Sequence, residues 1–162
     1  MEQNEITCCF FGHREVTHDI RQDLTETIEN LIIAEKVDNF YVGNQGQFDS
    51  MVYTVLSELK SKYPHIKYTV VLAYMHDRQT AEKYGNNTLY PDGLEFVPKR
   101  FAISRRNEWM IKKSAYVICY VHKITGGAYQ FQNIALKKDC TVINIAEKFD
   151  KKSLSKTVIA RI

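Results

Sequence analysis

Three short glycine-bearing segments hold much of the polar chemistry of this 162-residue chain: Gly12-His13-Arg14, Gly43-Asn44-Gln45-Gly46-Gln47-Phe48-Asp49 and Thr125-Gly126-Gly127-Ala128-Tyr129-Gln130. Glycine admits positive φ and lets a ligand come close to the main chain. Where such a turn opens a helix, unpaired N–H groups and the positive end of the helix dipole make an anion site. Arg14, and Arg106 followed by Asn107, add positive charge and hydrogen-bonding capacity. Together these residues suit a phosphate or ribose-phosphate group. Arg106 is the foremost candidate for anion contact, with Arg14 behind it.

Several of these residues carry two readings each. His13 contacts a phosphate or moves a proton, or else it caps a turn. Asn44 and Gln45 shape their turn or read a base or ribose. Asp49 caps the following helix through its carboxylate or holds a ribose hydroxyl. Tyr129 closes a pocket or stacks on a base. Trp109, the single tryptophan, belongs to the core or to a dimer interface. The common single motifs are missing: there is no G-x-G-x-x-G, no G-x-x-x-x-G-K-[ST] and no G-x-S-x-G.

The elements that must position these turns alternate along the chain. Ile6-Thr7-Cys8-Cys9-Phe10-Phe11 reads as a buried strand ending at Gly12. Thr17 can then cap a helix with Ile20, Leu24, Ile28, Leu31 and Ile32 at helical spacing. Asn39 to Val42 is a second strand, and Met51, Val52, Val55, Leu56 and Leu59 mark a second helix closed by Pro64. A strand over Lys67–Ala73 precedes an irregular stretch from Tyr74 to about Arg100, read as a long lid-like loop. A helix over Ser104–Lys113, a strand over Tyr116–Val121, a helix around Phe131, Ile134, Ala135 and Leu136, and a strand over Cys140–Ile145 follow. Residues 147–162 could add a short helix. Because parallel neighbours need crossovers, the alternation predicts a Rossmann-like three-layer α/β/α domain. Its sheet is mostly parallel, with about five or more strands, in one domain over residues 1–162.

Composition narrows the partners. The net charge is +3, from 22 basic and 19 acidic residues without a basic tail. The only basic grouping is Lys99, Arg100, Arg105, Arg106, Lys112 and Lys113, which a single anion site explains as well as nucleic acid does. The four cysteines, Cys8, Cys9, Cys119 and Cys140, lie in or beside apolar runs without metal-ligand spacing, as buried free thiols in a reducing compartment do. The acidic, polar N-terminus is unlike a signal peptide, and no apolar run nears the ~20 residues of a membrane span. The expectation is a cytoplasmic protein with no metal, no cofactor and no membrane or nucleic-acid partner.

The segments Thr7-Cys8-Cys9-Phe10-Phe11-Gly12-His13-Arg14, Gly43 to Asp49, Arg105-Arg106-Asn107-Glu108-Trp109-Met110 and Gly126-Gly127, in this order, resemble the SLOG superfamily. That group includes LOG-type phosphoribohydrolases, the Rossmann domain of DprA, YpsA-like proteins and ligand-sensing domains of bacterial immune systems. The resemblance covers about residues 6–146 and looks nearest to the YpsA-like members. It implies a nucleotide-type ligand held by Gly12, His13, Arg14, Gly43, Asn44, Gln45, Gly46, Asp49, Arg106, Asn107, Gly126, Gly127, Ala128, Tyr129 and Gln130. LOG enzymes release the base from a nucleoside monophosphate with an arginine and a glutamate. Here the arginine falls on Arg106, but the two glutamate positions fall on Gln132 and Asn133. An amide takes no proton and offers no charge to a developing oxocarbenium ion. The expectation is therefore binding, as a sensor or sequestering protein in bacterial or phage immunity. The alternative is a phosphoribohydrolase using Arg106 with Glu108 in place of the missing acid. LOG relatives also imply a homodimer or higher oligomer.

Overall fold

A computed structural model describes residues 4–17, 19–75 and 78–147. Six strands form one all-parallel sheet in the order β4-β3-β2-β1-β5-β6. The strands are β1 (Thr7–Gly12), β2 (Asn39–Val42), β3 (Lys67–Val71), β4 (Thr88–Leu89), β5 (Tyr116–Tyr120) and β6 (Thr141–Asn144). The helices are α1 (Arg21–Ile33), α2 (Gln47–Lys62), α3 (Arg78–Tyr84), α4 (Ala102–Lys113) and α5 (Gly127–Lys137). This is the expected three-layer Rossmann-like α/β arrangement.

Period-two alternation in β1 builds both faces of the domain. Cys8 and Phe10 point into one core with Phe40, Val42, Leu24, Ile28, Val52 and Leu56, so α1 and α2 cover that face. Cys9 and Phe11 point into the other with Val71, Met110, Ile111, Val117, Cys119 and Phe131, under α4 and α5. Each apolar side chain fully removed from water contributes roughly 1.5–3 kcal/mol, and β1 does so on both faces. Its β5 register runs from Cys8↔Tyr116 to Gly12↔Tyr120, which brings the ends of these two strands level.

Two local expectations are corrected. The first helix begins at Arg21, whose N–H is accepted by Asp19 Oδ1 at 3.2 Å, and not after Thr17. The preceding residues are drawn elsewhere: Val16 N–H donates to Gln47 Oε1 at 2.7 Å, and the Thr17 hydroxyl stands 3.4 Å from that of Tyr120. The Tyr74–Arg100 stretch is not one loop. It holds α3, the edge strand β4, and two 3₁₀ turns at Leu94–Phe96 and Lys99–Phe101. These pieces are too short to show a hydrophobic period. Tertiary contacts define them: β4 pairs with β3 at Val70↔Thr88 and Val71↔Leu89, and Tyr84 meets Tyr53 edge-on at 5.0 Å. The helix suggested for the tail lies outside the described residues, apart from a turn at 145–147.

All four cysteines are free thiols; Cys8, Cys9 and Cys119 are buried and Cys140 is partly exposed. Burial pushes the Cys9 and Cys119 thiols up to about 12 and Cys8 well above its ordinary value. A thiolate-seeking reagent at pH 8 should therefore modify Cys140 first, and the other three only on unfolding. Mass spectrometry of the native and urea-unfolded protein after timed alkylation checks this order.

Candidate functional site

The chain runs outward from β1 through β2 and β3 to β4, then returns to place β5 on the other side of β1. The connections after β1 and β5 consequently leave in opposite directions, and a crevice opens between them at the carboxyl ends. A cavity of about 360 Å³ occupies this position. It is lined by Phe10, Phe11, Gly12, His13 and Arg14 from β1 and its turn, and by Gln45 and Asp49 at the start of α2. Ile103, Ser104, Arg106 and Asn107 of α4 and Gly127, Ala128, Gln130 and Phe131 of α5 complete it.

Most of the residues singled out in the sequence thus meet around one cavity. Gly43, Asn44, Gly46, Gly126 and Tyr129 are not on its wall, and two of these glycines have a clear supporting part. A Cβ on Gly43 would lie 2.8 Å from Asp49 Oδ2 and 2.9 Å from an Arg106 terminal nitrogen, so the absence of a side chain there lets these two charged groups come together. Gly46 has φ +104°, and a Cβ on it would stand 2.6 Å from Arg14 Cα. That close approach is stitched by Gln47 N–H donating to the Arg14 carbonyl at 2.8 Å. Tyr129 packs against the apolar core under α4 and α5.

Arg106 lines the cavity and is itself buried. It is 2% exposed, its Nε donates to Asn107 Oδ1 at 2.8 Å, and a terminal N–H donates to the Val71 carbonyl at 2.9 Å. It forms the floor of the cavity and ties α4 to the end of β3. Asp49 is buried beside it and accepts Gln45 N–H at 2.9 Å, reaching back from the first turn of α2 to the residue before its N-cap, Gly46. Burial raises the Asp49 carboxyl from 3.8 to about 6, against the opposing pull of Arg106 and the Gln45 N–H. Burial also lowers Arg106, with Asp49 opposing. Arg14, by contrast, is exposed at the rim.

On the β5 side, sequence reasoning missed Asn144. Buried at the end of β6, it accepts Val121 N–H at 3.0 Å and donates to the Val121 carbonyl at 2.8 Å, clamping the strand end next to the cavity. Its position inside an apolar strand was the only available signal. Glu108, the alternative acid, faces away: it stands 4.0 Å from Arg105 and lines a separate surface pocket with Trp109 and Lys112. Gln132 and Asn133 are half-buried on α5 and are not cavity-lining. Trp109 is half-buried against Tyr41, ring centroids 5.2 Å apart. Among the described residues no group of three or more metal-ligating side chains converges, and no helix is long and apolar enough to cross a membrane.

The Asp49–Arg106 arrangement generates a stability prediction. Asp49 holds its proton more tightly folded than unfolded, so its contribution to stability declines as the pH rises from 3.8 to about 6. Arg106→Ala should cost roughly 3 kcal/mol or more at pH 8, where it strands a buried carboxylate and frees the Val71 carbonyl. The loss should be smaller at pH 5, where a neutral Asp49 needs no counter-charge. Urea unfolding of both proteins at the two pH values measures the difference.

No family model and no curated protein matches the sequence. Among solved structures, the X-ray structure of DNA processing protein A (DprA) from Streptococcus pneumoniae is similar, with a TM-score of 0.63 at 15% sequence identity. The match covers 85% of this chain and 49% of that one, so the chain spans about half the length of that protein. At this identity the likeness concerns the fold alone, a Rossmann-like α/β domain similar to that of DprA.

Proposed function

We propose that the cavity at the β1/β5 crevice holds a nucleotide-type small molecule, a nucleoside phosphate or an ADP-ribose-derived signal, and that the protein acts as its sensor or sequestering partner. The observation that carries this reading is the convergence of Gly12-His13-Arg14, the first turn of α2 and the Gly126-Gly127 start of α5 on one crevice. The phosphate lies against the opening turn of α5, where free N–H groups point outward. Arg14 reaches it from the rim, and Arg106 lies on the cavity wall with two of its five N–H donors given to Asn107 and Val71. Gly127 supports this placement: a Cβ there would meet no described atom within 4 Å, so protein packing does not account for glycine at that position. In this reading the chain is a cytoplasmic, homo-oligomeric SLOG-type domain near the YpsA-like members, with a part in bacterial or phage immunity. Nucleic acid is not among its partners, since burial of Arg106 removes the central member of the basic grouping from the surface.

A second reading, cleavage of the N-glycosidic bond, is favoured by one observation. Asp49 is a carboxyl on the cavity wall raised to about 6, a range suited to passing a proton near neutral pH. It would take the part that neither Gln132 nor Glu108 is placed for.

Incubation with AMP, other nucleoside monophosphates, ADP-ribose and cyclic ADP-ribose isomers, with chromatography before and after denaturation, separates the two. Intact ligand released only on denaturation is the expected result; free base would establish hydrolysis and reject the pure binder. Arg14→Ala and Gly127→Ala should each weaken capture at least about tenfold, the equivalent of one charge-assisted hydrogen bond. Gly127→Ala should leave thermal stability unchanged or slightly raised, since alanine favours the helix. Capture undiminished in both variants would place the ligand elsewhere.

A further inference from the structure

His13 stands directly after β1, on the cavity wall. Its main-chain N–H donates to the Tyr120 carbonyl at 3.2 Å, which carries the β1–β5 ladder one residue past the strand. Its side chain does something less ordinary. Nε2 accepts two main-chain N–H groups from the turn after β5, His122 at 3.1 Å and Lys123 at 3.2 Å. A ring nitrogen that accepts must present its lone pair, so Nε2 carries no proton and the neutral ring carries its proton on Nδ1. No described residue accepts a hydrogen bond from Nδ1.

The structure assigns His13 a positioning role: its neutral imidazole, through an unprotonated Nε2, holds the turn after β5 against the turn after β1 and thereby sets where the Gly126-Gly127 start of α5 stands. The tautomer is imposed by main-chain donors. Protonating Nε2 would turn an acceptor of two N–H groups into a third N–H facing them, so the contact breaks on protonation. His13 is therefore excluded as an acid or base through Nε2, and offers a ligand one donor, Nδ1–H, suited to a phosphate or ribose oxygen.

Charged and titratable groups surround the ring. On the β5 turn stand His122, whose ring centroid is 4.7 Å away, and Lys123; on β5 itself Tyr120 meets the ring edge-on at 6.0 Å. Arg14 is the next residue in the chain, and Asp49 of α2 and Arg106 of α4 share the cavity wall. Burial is the largest influence lowering the His13 imidazole below its ordinary value of 6.5, and His122 and Lys123 lower it further. The unfolded chain thus takes this proton first on acidification, and the contribution of His13 to stability is lost as the pH falls below 6.5 toward the folded value. The positioning role rests on the hydrogen bonds alone; its consequence for capture, weakening on acidification, rests on the nucleotide-binding reading.

Nitrogen-15 NMR of the full chain labelled at histidine and at backbone amides tests the assignment. At pH 7.5 the His13 ring should show a protonated Nδ1 and an unprotonated Nε2. On acidification the His122 and Lys123 amide signals should move with the midpoint of the His13 ring. In His13→Gln, whose side-chain oxygen keeps an acceptor without titrating, both amides should stay near their native shifts and lose that step. In His13→Ala they should exchange with solvent about tenfold faster, the worth of one hydrogen bond. If the alanine variant does not fold, the native ring spectrum and the glutamine variant still decide. An Nε2–H tautomer at pH 7.5, or the same amide step persisting in His13→Gln, overturns the assignment. The tautomer and shared step in a chain that captures no nucleotide would uphold it and refute the binding reading instead.

Discussion

The crevice exists because two adjacent parallel strands send the chain in opposite directions. A parallel neighbour can be reached only by a crossover, and crossovers of one hand put successive helices on one face until the order of strands reverses. Here the reversal falls between β1 and β5. At that place no connection covers the strand ends, and the turns after β1 and β5 face each other across open space. The level register of the two strands, with Gly12 opposite Tyr120, makes the turns begin at the same height. His13 then joins them twice, by its own N–H to Tyr120 and by its ring to the following turn.

Beneath this opening lies a buried charge arrangement that an apolar floor would not need. Taking a guanidinium and a carboxylate out of water is costly, and only good geometry repays it. Arg106 hydrogen-bonds Asn107 and the Val71 carbonyl, Asp49 is its nearby counter-charge, and the bare main chain of Gly43 leaves room beside both. Three elements converge on the guanidinium: the end of β3, the turn opening α2, and α4. The result is a polar floor tied to three elements, under a rim that carries an exposed cation, Arg14.

The resemblance of the motifs to the SLOG superfamily and the likeness to DprA agree at the level of fold and diverge in what they suggest beyond it. The neighbour is a longer DNA-processing protein, 49% of which the match covers, while the glycine turns here adjoin a cavity of the scale of a small molecule. The resemblance to LOG enzymes puts the glutamate positions on Gln132 and Asn133, which do not line the cavity, while Asp49 brings a carboxyl to it from a different element.

How much of this was legible in the residue order follows from the range of the forces involved. The dense apolar runs at β1 and β5 and the helical spacing of Leu24, Ile28 and Leu31 declare themselves locally, because burial on two faces or one demands that pattern wherever it occurs. The three glycine turns mark the sheet edge at which the cavity opens, because glycine punctuates strand-to-helix junctions locally. The chain by itself therefore determined the α/β class, the parallel sheet and most of the residues around the cavity. Tertiary structure alone decided the rest. Segments as short as α3 and β4 carry too few residues for a period and exist by pairing with β3 and packing on Tyr53. Whether Arg106 faces ligand or floor depends on a carbonyl 35 residues away, and the tautomer of His13 on two N–H groups more than a hundred residues along. Those are contacts between residues with no reason to be neighbours until the sheet is formed, so no reading of spacing could contain them.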